Sequence, residues 1–176
     1  MNTIIILAAI TPLFVLSMTC SGQTTLKAGD PAPQFEGQDQ DGKTWKLSDF
    51  KAKQAVLVYF YPKDNTPGCT KEACGLRDNI EELKSNKVQI LGVSFDSAES
   101  HKKFISKFGL NFPLLVDTDG KLADAFGARK EAGKNSARRV SFLIDKEGKI
   151  AHVTDTPSAE THLKEMREAA TALEKK

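Results

Sequence analysis

Two nearly continuous apolar runs, "AVLVYF" at 55–60 and "VQILGVSF" at 88–95, constrain the fold more than any other feature of the chain. The first joins β-branched to aromatic residues with no polar alternation, so it predicts a strand covered on both faces, ended by Pro62. The second predicts another buried strand, and helical spacing follows each. Leu76, Ile80 and Leu83 form one stripe; Phe104, Ile105 and Phe108 form a second, stopped by Gly109. "FPLLVD" predicts a third short strand, and "TDGKLADAFG" a turn into a short helix. "RVSFLIDKEGKIAHVTD" predicts a hairpin turning at Lys146 to Lys149, on one side of an otherwise parallel sheet. An amphipathic helix, "SAETHLKEMREAATALEK", closes the chain. Upstream, "QFEGQDQDGKTWKLSDF" predicts two short strands around a turn from Gln40 to Gly42. The order of elements gives an α/β protein with helices covering a central sheet.

At 176 residues the chain has room for one well packed domain. Residues 1–23 differ from the rest: they carry no charge, and the apolar stretch from Ile4 to Leu16 has the length of a secretory h-region rather than a membrane span. They predict a leader that sends the folded part, 24–176, to the periplasm or cell envelope. Cys20, in "LSMTCSG", resembles a bacterial lipoprotein processing site, although Ser17 stands where Leu is usual. Lipidation at Cys20, which would anchor the protein to the membrane, and ordinary cleavage nearby are both open. Lys plus Arg (25) nearly balance Asp plus Glu (23) and are interspersed with them, which excludes a nucleic-acid footprint. Three cysteines in a chain this long are no disulfide scaffold, and none has a histidine at zinc-ligand spacing. His101, His152 and His162 lie far apart in polar settings and predict surface positions, and Trp45 predicts packing. No glycine-rich nucleotide loop is present, so neither metal nor cofactor is expected.

Two of the cysteines stand in "YPKDNTPGCTKEAC", residues 61–74. The bland reading makes them small buried hydrophobes. Against it, Cys69 follows a Pro- and Asp-rich turn whose neighbours suggest a surface or cleft, and it begins a helix. There the unpaired N–H groups and the helix dipole favour thiolate, the nucleophilic form. Cys74 lies five residues on. On a continuous helix that spacing is about 7.5 Å along the axis and about 140° around it. The Cα atoms then stand roughly 8–9 Å apart, beyond disulfide reach. The helix must unwind locally for the pair to join, and Gly68 and Gly75 are expected to ease that opening.

From Gly29 onward the chain resembles the peroxiredoxins, in particular the bacterioferritin comigratory protein or peroxiredoxin Q branch. The family pattern Pro, three residues, Thr, two residues, Cys is met by Pro62, Thr66 and Cys69, and the branch's second cysteine by Cys74. "DGKTWKLSDF", "NFPLLVD" and "ARRVSFLID" are similar to the corresponding family segments. The resemblance implies a thioredoxin-like fold with an N-terminal hairpin extension, working as a monomer. It implies a thiol peroxidase acting on hydrogen peroxide and organic hydroperoxides and recycled by thioredoxin or a similar dithiol protein. Cys69 would be the peroxidatic cysteine and Cys74 the resolving one. Thr66 would hold the thiolate and orient the peroxide, Pro62 would shield the pocket, and Arg139 rather than Arg138 would polarise the peroxide. Glu72 would orient that arginine or else be a solvated helix residue. An envelope thiol-disulfide oxidoreductase and a redox-sensing interaction protein are the rival readings; the absence of C-x-x-C speaks against the first.

Overall fold

The computed structural model describes residues 24–174 apart from 80–82, 84 and 86. Residues 1–23 with Cys20, and Ile80 of the first helical stripe, lie outside the described residues. A central five-stranded sheet has the order β5-β4-β3-β6-β7. Its strands are β3 (Ala55–Phe60), β4 (Val88–Ser94), β5 (Leu114–Val116), β6 (Val140–Ile144) and β7 (Ile150–Asp155). β3, β4 and β5 run parallel, whereas β6 is antiparallel to both β3 and β7. The β6–β7 hairpin is therefore the mixed side of the sheet, as the sequence predicts. Its turn is tied by Asp145, whose Oδ1 accepts from the N–H groups of Glu147 (3.0 Å) and Lys149 (2.8 Å).

β3 is buried along its whole length, and its side chains alternate between two apolar layers. Val56, Val58 and Phe60 point into one, with Phe35, Phe126 and Phe142. Leu57, Tyr59 and Tyr61 point into the other, which holds Cys69, Ala73, Leu76, Phe104 and Met166. The second layer is roofed by α1 (Pro67–Asp78), α2 (Ala98–Phe108) and α4 (Ala159–Glu174); α3 (Lys121–Ala125) serves the first. α2 is capped by the Ser97 hydroxyl at its start and stops at Gly109, whose φ of 61° suits a left-handed glycine.

The expected N-terminal hairpin pairs β1 (Glu36–Gln38) with β2 (Thr44–Lys46). Asp39 organises its turn, accepting from the N–H groups of Asp41 and Lys43 and from Trp45 Nε1 at 2.8 Å. Trp45 packs as expected, stacked on Phe50 at 5.9 Å. Gln40 Oε1 accepts from the Leu114 N–H at 3.0 Å, which fastens the hairpin to the edge of the sheet.

Candidate active site

The C-terminal ends of parallel strands are where ligands gather in α/β sheets, and β3, the strand at which parallel gives way to antiparallel, ends there in Tyr61 and Pro62. The chain turns through Asn65, a non-glycine residue in the left-handed region (φ 58°), and enters α1 with Thr66 at the N-cap and Pro67 in the first turn. The first intrahelical bond runs from the Thr70 N–H to the Thr66 carbonyl at 2.8 Å. The N–H groups of Gly68 and Cys69 precede it and are the helix's own supply of donors.

Cys69 sits in that turn. Pro67 and Gly68 are exposed, but Cys69 itself is only 2 % exposed, so the surface suggested by its neighbours is the rim of a site whose thiol is at the floor. Arg139, at the start of β6, places Nη2 3.4 Å from Cys69 Sγ. Its Nη1 forms an ion pair with Glu72, one helical turn beyond Cys69, and its Nε donates to the Pro157 carbonyl at 3.2 Å. Arg138 turns away to Asp155, with Nη1 2.6 Å from Oδ1. The structure thus brings Cys69, Arg139 and Glu72 together and leaves Arg138 out. Glu72 is no solvated helix residue, being 1 % exposed. Burial pushes its carboxyl up to about 7 even with the Arg139 guanidinium beside it.

Two expectations change. The Thr66 hydroxyl donates to the Lys63 carbonyl at 3.0 Å, so its single hydrogen is not available to Cys69 and only its lone pairs are left for a ligand. Gly75 is not merely a weak point of α1. A Cβ there would run into Leu163 of α4, so the glycine permits close approach of the two helices. Cys74, half-buried, lies with Cys69 inside the continuous α1, and both are free thiols. Pro62 is half-buried, just past the end of β3.

The histidine expectation also fails. His101 and His162 are 0 % and 1 % exposed, and only His152 keeps partial exposure. His101 Nδ1 faces Asp64 Oδ2 at 2.9 Å, and the same carboxylate accepts from Tyr61 (2.8 Å) and Ser100 (2.7 Å). His162 Nδ1 lies 2.9 Å from Ser141 Oγ and 3.5 Å from Glu72 Oε1. A signal was present: His101 stands three residues before Phe104 in the α2 stripe, and His162 four before Met166 and eight before Ala170, all buried. Among the described residues no group of His, Cys, Asp and Glu has the arrangement of a metal site.

A thioredoxin-like fold that holds a buried thiol in the first turn of a helix, against an arginine, defines a thiol peroxidase. Residues 28–153 match the AhpC/TSA family, and the chain belongs to that family, in its Bcp and peroxiredoxin Q branch. It is 51% identical over 142 residues to peroxiredoxin Bcp of Escherichia coli, covering 78% of this chain and 90% of the relative. With peroxiredoxin Bcp of Bacillus subtilis it shares 50% identity over 131 residues, covering 72% and 83%. Among solved structures, peroxidoxin BcpB from Mycobacterium tuberculosis superposes with a TM-score of 0.79 at 34% identity, covering 84% of this chain and 98% of that one.

Proposed function

We propose that Cys69 is the peroxidatic thiol and Cys74 the resolving thiol of this thiol-dependent peroxidase, acting on hydrogen peroxide and organic hydroperoxides. The observation that carries the assignment is the 3.4 Å approach of Arg139 Nη2 to the buried Cys69 Sγ in the first turn of α1. The Cys69 thiolate attacks the nearer peroxide oxygen. An S–O bond forms, the O–O bond breaks, and the departing oxygen takes a proton to leave as water or an alcohol. Charge grows on that oxygen in the transition state, where the Arg139 guanidinium and the free N–H groups of Gly68 and Cys69 are fixed donors. The Thr66 hydroxyl accepts the hydrogen of the bound hydroperoxide, and Pro62 keeps bulk water from the mouth.

Cys69 then carries a sulfenic acid. Both thiols lie in regular helix, so α1 opens before the Cys74 sulfur can displace hydroxide, giving a disulfide and water. Opening breaks the Glu72–Arg139 pair and lifts Gly75 from Leu163. A thioredoxin-type dithiol protein returns the disulfide to two thiols, and one chain carries the whole cycle. Residues 1–23, uncharged and apolar, support export to the envelope with Cys20 as a lipid anchor or a residue lost with the leader; intact mass of the mature chain reads which.

Cys69→Ser should abolish the first turnover, and Cys74→Ser should complete one turnover and stall as sulfenic acid until an added thiol rescues it. A stopped-flow trace with undiminished first turnover in Cys69→Ser would overturn the assignment.

A further inference from the structure

His162 stands on α4, beyond the residues 28–153 that match the family. Its Nε2 is 2.8 Å from the Thr156 carbonyl oxygen, which can only accept, so Nε2 carries the ring hydrogen. Burial drives the imidazole down to about 4, with the Arg139 charge acting in the same direction against the Thr156 bond, so the ring is neutral and Nδ1 is bare. Bare Nδ1 accepts from the Ser141 hydroxyl at 2.9 Å and stands 3.5 Å from Glu72 Oε1. Glu72 Oε2 is held by Arg139 Nη1, and Arg139 Nη2 reaches Cys69 Sγ. An unbroken line of side chains therefore runs from α4 through α1 and β6 to the sulfur.

We infer that His162 is a positioning residue for peroxide reduction: by standing against Oε1 it fixes which oxygen of Glu72 faces Arg139, and so aims the guanidinium at Cys69. This rests on the reading of Cys69 as the attacking thiol. A carboxyl free to rotate could present either oxygen to Arg139, protonated or not. The ring removes that freedom by contact: tied to Ser141 at Nδ1 and to Thr156 at Nε2, it stands 3.5 Å from Oε1 and so holds the carboxyl with Oε2 toward the guanidinium. The charged and titratable groups facing the carboxyl are Arg139 from the residue before β6, His162 from α4, Tyr59 from β3 and Cys69 on its own helix; Glu165 and Asp155 also act on His162. α4 is held in place for this task by Leu163, the next residue, packed against Gly75.

The two nitrogens of His162 have different duties, and two substitutions separate them. Asparagine puts an amide where Nδ1 stands, and glutamine reaches the position of Nε2. If His162 positions Glu72, His162→Asn should keep the first-turnover rate with hydrogen peroxide within about threefold, whereas His162→Gln should slow it about tenfold, the scale on which a misaimed group acts. The pH profile of Cys69 alkylation by iodoacetamide, with the modified cysteine identified by mass, should shift in His162→Gln and not in His162→Asn. Melting curves normalise each rate to the folded fraction. The opposite ranking would make His162 only an anchor for the Thr156 carbonyl, and equal rates with equal profiles would likewise overturn the inference. In the unsubstituted protein, 15N shifts should report the Nε2–H tautomer at neutral pH; a proton on Nδ1 would sink it without any variant. A Cys69→Ser control that retains first turnover would instead remove the reading on which the inference stands.

Discussion

Two buried histidine–carboxylate pairs flank the segment that carries Cys69, and they are built oppositely. Asp64 precedes the cysteine and meets His101 of α2; Glu72 follows it and meets His162 of α4. Both ring nitrogens of His101 face acceptors, Asp64 Oδ2 at 2.9 Å and the Leu115 carbonyl at 3.2 Å. Burial acts to raise the Asp64 carboxyl, but the bonds from His101, Ser100 and Tyr61 outweigh it and hold the group below its usual range. The second pair has one strong acceptor, Thr156, and a hydroxyl that can donate, so His162 is neutral and Glu72 is raised. The first pair is a clamp, with Asp64 bonded to three side chains, that fixes the loop before the helix. The second leaves the Arg139 charge less quenched, free to act on sulfur. Two similar residue pairs thus do different work, and the partners of the ring nitrogens decide which.

The largest effect that tests this contrast is on stability. Asp64→Ala strands three buried groups that now bond to its carboxylate, on Tyr61, Ser100 and His101, and should cost about 3–5 kcal/mol in urea unfolding. Glu72→Gln should cost about 1 kcal/mol or less, since its amide oxygen still accepts from Arg139 and a neutral group suits the site. Equal losses would erase the distinction between clamp and aiming device.

A smaller effect is read in pH. The Glu72 carboxyl, raised from 4.5 to about 7, keeps a proton in the closed helix that it loses in the open one. The closed form therefore weakens as pH rises from 4.5 to about 7 and is level above that. His162, lowered from 6.5 to about 4, has the opposite sign: its stability is present above 6.5 and is lost as pH falls towards 4. In global unfolding the two slopes oppose each other over the shared window. In local opening of α1, Glu72 is released while His162 stays packed on α4, so its slope should stand alone, at most about 3 kcal/mol. Hydrogen exchange of α1 amides, corrected for intrinsic rates, should show this fall and Glu72→Gln should flatten it. A flat profile in the unsubstituted protein would mean that Glu72 is ionised in the closed form.

The smallest effect falls on the residue that both carboxylates influence. Tyr59 is fully buried, its hydroxyl has no partner among the described residues, and burial followed by the Glu72, Cys69 and Asp64 charges pushes it well above its usual range. Tyr59→Phe removes an unmatched polar group and should leave stability unchanged or raise it by about 1 kcal/mol, read in the same urea melts. A loss of more than that would show the hydroxyl to be bonded in solution.

Much of the architecture was legible because it depends on local pattern. Two-faced burial of β3 follows from "AVLVYF", the α2 stop from Gly109, and the β6–β7 turn from Lys146 to Lys149. Cys69 in the first turn of a helix was legible from the Pro- and Asp-rich turn before it and the apolar stripe after it, whereas Thr66 and Pro62 entered only through the family resemblance. The sequence did not carry the depth of Cys69 or the commitment of the Thr66 hydroxyl to Lys63, which depend on how the loop closes. Nor did it carry the burial of His101 and His162. A polar residue within an apolar stripe reads as exposed until a carboxylate from a distant segment is seen to meet it: Asp64 for one, Glu72 for the other. Gly75 makes the same point, since its reason lies 88 positions away in Leu163. Residue type and spacing determined the elements and placed the candidate thiol at a helix start. Tertiary structure decided protonation, aim and helix contact, because each is set by a partner that only the packed fold brings within a few ångströms.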